Sequence, residues 1–334
     1  MRIAVLSPIA WRTPPRHYGP WEQMASNLTE GLVNAGIDVT LFATGDSLTS
    51  GKLSAVIERG YEEDRELDAK VAECLHISQL MEQSGQFDLI HNHFDFLPLT
   101  YSGLINTPMI TTIHGFSSEK IVPVYQKYND KGYYVSISDA DRHPELHYIA
   151  TVYNGLQTTQ FSFSPQHYDY LLFFGRIHPH KGAAEAIEIA KQVGKKLLVA
   201  GIIQDEAYFR EKVEPHFSES VVFLGPAGPE ERDRLLGGAA ALLHPISFDE
   251  PFGLSVAESM LCGTPVIAFN RGSMPELIRD GKSGYLVNNV NEASEAVSSL
   301  TNISRTACRE WALANFSQEK MVQDYIQLYE KILN

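Results

Sequence analysis

The chain has 334 residues, 44% of them apolar and 20% charged, and a formal net charge of −14. That length suits two domains and that composition an ordinary globular core. The acidic balance argues against nucleic acid and against docking on anionic lipid. Cys74, Cys262 and Cys308 lie too far apart for a metal motif and read as buried thiols of a reducing compartment. No apolar run reaches membrane-spanning length, and the N-terminus enters a strand without a signal-peptide pattern. A cytoplasmic protein with no membrane insertion is therefore expected.

Arg2 to Leu6 is a short apolar strand, and no G-x-G-x-x-G follows it. A long loop runs from Ser7 to Pro20 and carries Trp11, Arg12, Arg16, His17, Tyr18 and Gly19. Loops of this length inside a compact domain are usually functional. Trp21 to Ala35 reads as a helix with Met24, Leu28 and Leu32 on one face, and Ile37 to Ala43 as the next strand. Leu53 to Gln83 reads as helical, its acids (Glu58, Glu62, Glu63, Asp64, Glu66 and Asp68) forming a solvated face.

Strands at Phe87–His91 and Met109–Ile113 end next to His93 and Asp95 and next to His114, respectively. Open parallel sheets bind ligands outside the carboxyl ends of their strands, so all three are candidate site residues. The pair His91 and His93 raises the question of a metal, but no carboxylate or cysteine pattern completes a site, and none is expected. Tyr133–Ser138 and Ile149–Val152 are two further strands, and Phe161–Tyr170 reads as a linker.

A second alternation of strands and helices begins at Leu171. Its first strand is followed by Gly175, Arg176, Lys181 and Gly182, a local positive site in an acidic chain. Arg offers a planar fork and Lys a point charge, the pair suited to a diphosphate. Further on, the apolar run Ala239–Leu243 leads into HPISFDEPFGLSVAESMLCGTPVIAF. Here a loop carries Asp249 and Glu250, then Gly253 and Leu254 open a helix that bears Glu258 and ends at Gly263. Pro265 starts the strand Val266–Phe269. Free N–H groups and the positive dipole end at such a helix start favour a phosphate. An anion site with carboxylates beside it suits a molecule with phosphates and hydroxyls. The last helix, Gln318–Leu333, repeats apolar residues at Met321, Tyr325, Leu328 and Ile332.

Glu250 and Glu258 with seven residues between them, Pro251-Phe252-Gly253-Leu254 inside that gap, and Gly263-Thr264-Pro265-Val266 after it resemble the family-4 retaining glycosyltransferases. Gly175, Arg176, Lys181 and Gly182 resemble the same family's G-R-x-x-x-x-K-G signature, and Thr112-Ile113-His114-Gly115 its strand end near the donor sugar. Tyr18-Gly19-Pro20-Trp21-Glu22 stands where the family has a glycine-rich loop facing the acceptor, with Pro20 in place of a second glycine.

The resemblance implies an α/β protein of the glycosyltransferase B architecture, two Rossmann-like doubly wound parallel-sheet domains facing a cleft. The first would span 1–163, with the helix 318–334 packing back on it, and the second 164–317. Donor binding would fall to Gly175, Arg176, Lys181, Glu250, Phe252, Gly253, Leu254 and Glu258. Arg176 and Lys181 would hold the phosphates, Glu258 the ribose hydroxyls and Glu250 the sugar. His114, Arg176, Lys181 and Glu250 would carry catalysis. Tyr18, Gly19, Pro20, Trp21, His93 and Asp95 would face the acceptor.

The implied reaction moves a hexose from a nucleotide-diphosphate sugar to a small soluble hydroxylated acceptor, with retention and without a metal or other cofactor. UDP-glucose is the first donor expected and GDP-mannose the second. A sugar-nucleotide epimerase or hydrolase on the same fold, or a nucleotide-sugar binding protein without turnover, are the alternatives. The sequence leaves the oligomeric state open.

Overall fold

The computed structural model describes residues 1–334. They divide into two compact units, Met1–Gly155 with Gln318–Asn334, and Leu156–Ser317. The first unit contains β1 (Arg2–Leu6), α1 (Pro20–Asn34), β2 (Asp38–Phe42), β3 (Lys52–Ser54), α2 (Ala69–Glu82), β4 (Leu89–Asn92), β5 (Met109–Ile113), α3 (Val122–Lys127), β6 (Tyr133–Ser136) and β7 (Tyr148–Thr151). All seven strands are parallel, in the order β3-β2-β1-β4-β5-β6-β7. Ile3, Ala4, Val5 and Leu6 are all buried, so β1 is covered on both faces. This is why it reads as a continuous apolar run and not as an alternation. Met24, Leu28 and Leu32 of α1 are buried as their helical spacing predicts.

The second unit contains β8 (Tyr170–Phe174), α4 (Ala183–Gln192), β9 (Lys196–Ala200), α5 (Glu206–Tyr208), β10 (Val221–Gly225), α6 (Pro229–Gly238), β11 (Ala241–His244), α7 (Leu254–Leu261), β12 (Val266–Phe269), α8 (Met274–Leu277), β13 (Gly284–Val287), α9 (Val290–Ser298) and α10 (Arg305–Phe316). Its six strands are also parallel, in the order β10-β9-β8-β11-β12-β13. Both sheets are doubly wound, with the expected Rossmann-like topology.

The last helix, α11 (Gln318–Leu333), belongs to the first unit. Its Met321, Val322, Tyr325 and Tyr329 enter the same core as Leu28 and Leu32 of α1. Gln318 Nε2 donates to the Asn27 carbonyl at 2.6 Å and pins the start of α11 on α1.

Three sequence expectations are corrected. The helix expected over Leu53–Gln83 exists only over Ala69–Glu82. The Asp68 side chain accepts from Val71 N at 3.0 Å and starts it there. Ahead of it, Tyr61 N and Glu62 N donate to the carbonyls of Ile9 and Ala10, and Arg16 pairs with Asp46 and Glu63. Backbone groups engaged with the loop after β1 are not free to close helical turns.

The boundary expected after residue 163 falls after Gly155. Leu156 bridges Ser317, the ring of buried Phe161 lies under Arg232, and Arg309 Nη1 donates to the Phe161 carbonyl at 3.0 Å. Residues 156–163 are thus held by the second unit, and the presumed linker already contains the first residue of β8. Finally, Cys74 is exposed on α2, whereas Cys262 and Cys308 are buried as expected.

Candidate active site

In each unit the strand order reverses once, between β1 and β4 and between β8 and β11. The loops leaving adjacent strands diverge at such a point and open a crevice at the carboxyl ends. The candidate residues of the second unit lie on the two loops of its reversal and, for Leu254 and Glu258, on α7, which follows the second of them. Gly175 to Gly182 follows β8, and Pro245 to Gly253 follows β11.

Those two loops are laid on each other. Gly182 has a left-handed backbone, φ 78°, and a Cβ there would collide with the Pro245 carbonyl. Only glycine permits this approach. Ser247 N donates to the His180 carbonyl at 3.0 Å, and the His180 ring stacks on Phe248 at 5.9 Å. The loop after β12 clamps the other side: Ser273 N donates to the Glu250 carbonyl at 3.0 Å, and Ser273 Oγ to the Phe252 carbonyl at 2.7 Å.

This packing brings Lys181 and Glu250 together. The ammonium donates to Glu250 Oε2 and lies 4.7 Å from the centre of the Phe248 ring. His244 Nε2 stands 3.7 Å from the same carboxylate, beyond hydrogen-bond reach, and is buried without a partner. Burial alone would raise the Glu250 pKa, but His244 and Lys181 outweigh it and hold the carboxylate at about 2. Burial also lowers the Lys181 pKa, and the nearby positive charge of Arg176 adds to this against Glu250. Arg176 itself donates from Nη1 to Gln204 Oε1 at 2.7 Å.

Gly253 caps α7 with φ 91°, a conformation that suits glycine, and no side chain caps that helix start. The first N–H groups of α7, from Leu254 and Ser255, have no carbonyl within the helix to accept them. Phe252 is buried and packs edge-on against Phe316 at 5.8 Å. Further along, Glu258 is 7% exposed and accepts from Arg232 Nη1 at 2.9 Å. Burial raises the Glu258 pKa, and Arg232 opposes it.

In the first unit, His93, His114 and Trp21 come together. Trp21 stacks on His114 at 5.8 Å and His93 on His91 at 4.3 Å, while the His93 and His114 rings meet edge to edge, 5.1 Å between centres. His93 Nδ1 and His114 Nε2 share a hydrogen bond of 2.8 Å. His91 is bonded on both sides, Nδ1 to Tyr329 Oη at 2.5 Å and Nε2 to Thr112 Oγ1 at 2.7 Å. Burial lowers the pKa of all three imidazoles, that of His114 to about 3. The ladder is therefore neutral at ordinary pH.

Asp95 takes no part in the ladder. It has φ 87°, and its carboxylate accepts from Tyr125 Oη. Burial lifts its pKa to about 6, with Tyr125 opposing. Tyr18 is exposed, Gly19 caps α1, and Pro20 is the first residue of that helix. No group of three or more His, Cys, Asp or Glu side chains is arranged to hold a metal ion.

Arg232, His244 and Phe248 went unnoticed in the sequence. His244 and Phe248 stood inside the stretch that was read, at the end of β11 and beside Glu250. Arg232 lies on α6, 26 residues before its partner, and nothing local connects the two.

The family model described as "Glycosyl transferases group 1" matches residues 157–312, and "Glycosyltransferase Family 4" matches 22–143. Together they span most of the chain, one model in each unit. The chain belongs to the family-4 glycosyltransferases. An uncharacterised 41.2 kDa protein of the cps region of Klebsiella pneumoniae is 35% identical to this family member over 167 residues, 48% of this chain and 46% of that protein.

The D-inositol 3-phosphate glycosyltransferase of Corynebacterium efficiens is 30% identical over 159 residues, 43% of this chain and 37% of that enzyme. The matches thus span less than half the length of these curated relatives. The sucrose-phosphate synthase of Thermosynechococcus elongatus shares the fold, with a TM-score of 0.82 at 18% identity over 99% of each chain. No helix is long and apolar enough to cross a membrane.

Proposed function

We propose that this chain is a retaining glycosyltransferase that moves a hexose from a nucleotide-diphosphate sugar to a small hydroxylated acceptor, without a divalent metal. The observation that carries the reading is the convergence, in the second unit, of Arg176, Lys181 and Glu250 with the start of α7 at one strand-order reversal. As a glycosidic bond to a diphosphate breaks, negative charge grows on the leaving phosphate. Arg176, Lys181 and the first N–H groups of α7 are suited to that charge, and they take the role a divalent ion has elsewhere.

Glu250, held ionised, accepts hydrogen bonds from the hydroxyls of the sugar, and Glu258 accepts from the ribose. His114 contacts the transferred sugar. Tyr18 to Trp21 and His93 face the acceptor. Asp95 supports that side through Tyr125. The leaving phosphate itself takes the acceptor's proton on the face it departs from, which accounts for retention without a separate general base.

The test is release of nucleoside diphosphate from UDP-glucose and GDP-mannose, with and without chelator, against a panel of sugars and sugar alcohols. An inositol phosphate belongs on that panel because of the relative at 30% identity. Acceptor-dependent release that survives chelator, with an α-linked product, is the expected result. Monomeric sugar formed without acceptor would make the protein a hydrolase. Donor binding with no product from any acceptor would overturn the transferase reading.

A further inference from the structure

The imidazole ladder fixes more than ring positions. A neutral imidazole carries one proton, and the nitrogen that carries it is set by the partners of both nitrogens. In the 2.8 Å bond between His93 Nδ1 and His114 Nε2, one nitrogen donates and the other accepts. His93 Nε2 decides which. It is buried and has no hydrogen-bond partner. If His114 Nε2 were the donor, His93 would have to carry its own proton on Nε2, leaving an N–H orphaned in the interior. Buried N–H groups without an acceptor are rare, and an under-used acceptor is better tolerated. The proton of His93 therefore sits on Nδ1, where it donates to His114.

We propose that His93 is a positioning residue that holds His114 in its Nδ1–H tautomer. His114 Nε2 is then an acceptor, and its Nδ1–H is a hydrogen-bond donor with no partner in the protein, on a ring that is only partly buried. Trp21, stacked on the outer face of that ring, fixes the direction in which the donor points. His91 cannot act in place of His93, because both its nitrogens are committed to the hydroxyls of Tyr329 and Thr112. That the donor meets a sugar hydroxyl rests on the transferase reading above. The tautomer does not.

The experiment is long-range proton–nitrogen correlation spectroscopy on the full chain labelled at histidine, at a pH above the ordinary imidazole range. The His114 signals are assigned by their loss in His114→Gln. The expected pattern is Nδ1 protonated and Nε2 bare, and the reverse pattern in the wild-type protein would overturn the proposal. In His93→Phe the stack on His91 is kept and the donor to His114 lost, so His114 is expected to shift toward Nε2–H; an unchanged pattern would also overturn it.

If that variant does not fold, the wild-type spectrum still decides. With a donor and acceptor in hand, His93→Phe should lower kcat about tenfold with KM little changed. A rise in KM alone would mean that His93 acts on binding and not through His114. Inactivity of the wild-type protein would count against the transferase reading and leave the spectroscopic result standing.

Discussion

The Lys181 ammonium and the Glu250 carboxylate are bonded to each other inside the second unit. Both are assigned here to one ligand, the lysine to its phosphates and the acid to its sugar. A bound diphosphate would therefore compete with Glu250 for Lys181, and Glu250 would turn toward the hydroxyls as it is released. His244 Nε2, 3.7 Å from the carboxylate and without a hydrogen-bond partner, is close enough to meet Glu250 once Lys181 turns away.

Replacing Arg176 or Lys181 by alanine is expected to cost roughly a hundredfold to a thousandfold in kcat, about 3–4 kcal/mol of transition-state stabilisation. Steady-state kinetics check this. Unchanged turnover in Arg176→Ala would remove it from the leaving-group site.

Glu250→Ala leaves Lys181 with its ammonium buried and without a counter-ion. Breaking a buried pair from one side typically costs about 3–5 kcal/mol. The Lys181→Met/Glu250→Gln double variant, in which neither charge remains, should recover part of that loss. Denaturant unfolding of the single and double variants measures the difference.

Arg232→Met should act on Glu258 in a related way. Without the guanidinium, burial is unopposed and the Glu258 pKa rises further, which weakens the carboxylate as an acceptor. Affinity for a nucleoside diphosphate should fall, and the preference for that ligand over its 2′-deoxy analogue should shrink. Calorimetric titration with both ligands tests this; an undiminished preference would separate Glu258 from the ribose.

Among the buried groups that make stability depend on pH, His76 and Glu22 act in opposite directions. Burial lowers the His76 pKa to about 4, opposed by the Ser7 carbonyl that its Nε2 meets. The unfolded chain takes up this proton first, so the His76 contribution is whole above about pH 6.5 and lost as the pH falls toward 4. Burial raises the Glu22 pKa to about 7, opposed by the N–H groups of Glu22 and Trp11. Its contribution is whole below about pH 4.5 and lost as the pH rises through 7. Each shift is worth about 3 kcal/mol. Glu22→Gln should therefore steepen the loss of stability between pH 6.5 and 4.5, and His76→Leu should flatten it. Thermal midpoints across that range decide.

Most of the fold was legible because buried parallel strands and amphipathic helices leave strong local patterns. The strand at Val266–Phe269 and the helix at Gln318–Leu333 fall where they were read. What failed was local pattern overruled by distant contacts. The acidic stretch before Asp68 has helical composition, but its N–H groups answer to carbonyls of Ile9 and Ala10 some fifty residues earlier. At the site, Arg176, Lys181, Glu250 and Glu258 stand in motifs that resemble the family's, and the resemblance implies their roles. Their partners Gln204, His244 and Arg232 become visible only when separate loops meet in three dimensions. His91 shows the same limit, since its hydroxyl partners Tyr329 and Thr112 stand 238 and 21 positions away.

The placement of α11 reverses the order in which the chain can finish its parts. Leu156–Ser317 is continuous, so a ribosome delivers the whole second unit before the last helix of the first exists. Until Tyr325 and Tyr329 are made, the His91 imidazole lacks one hydroxyl partner, and the apolar face of α1 around Leu28 and Leu32 lacks its cover. The N-terminal unit is the last to be completed, and a stop codon near residue 317 would leave Arg176, Lys181 and Glu250 in an intact second unit on a protein whose first unit is unfinished.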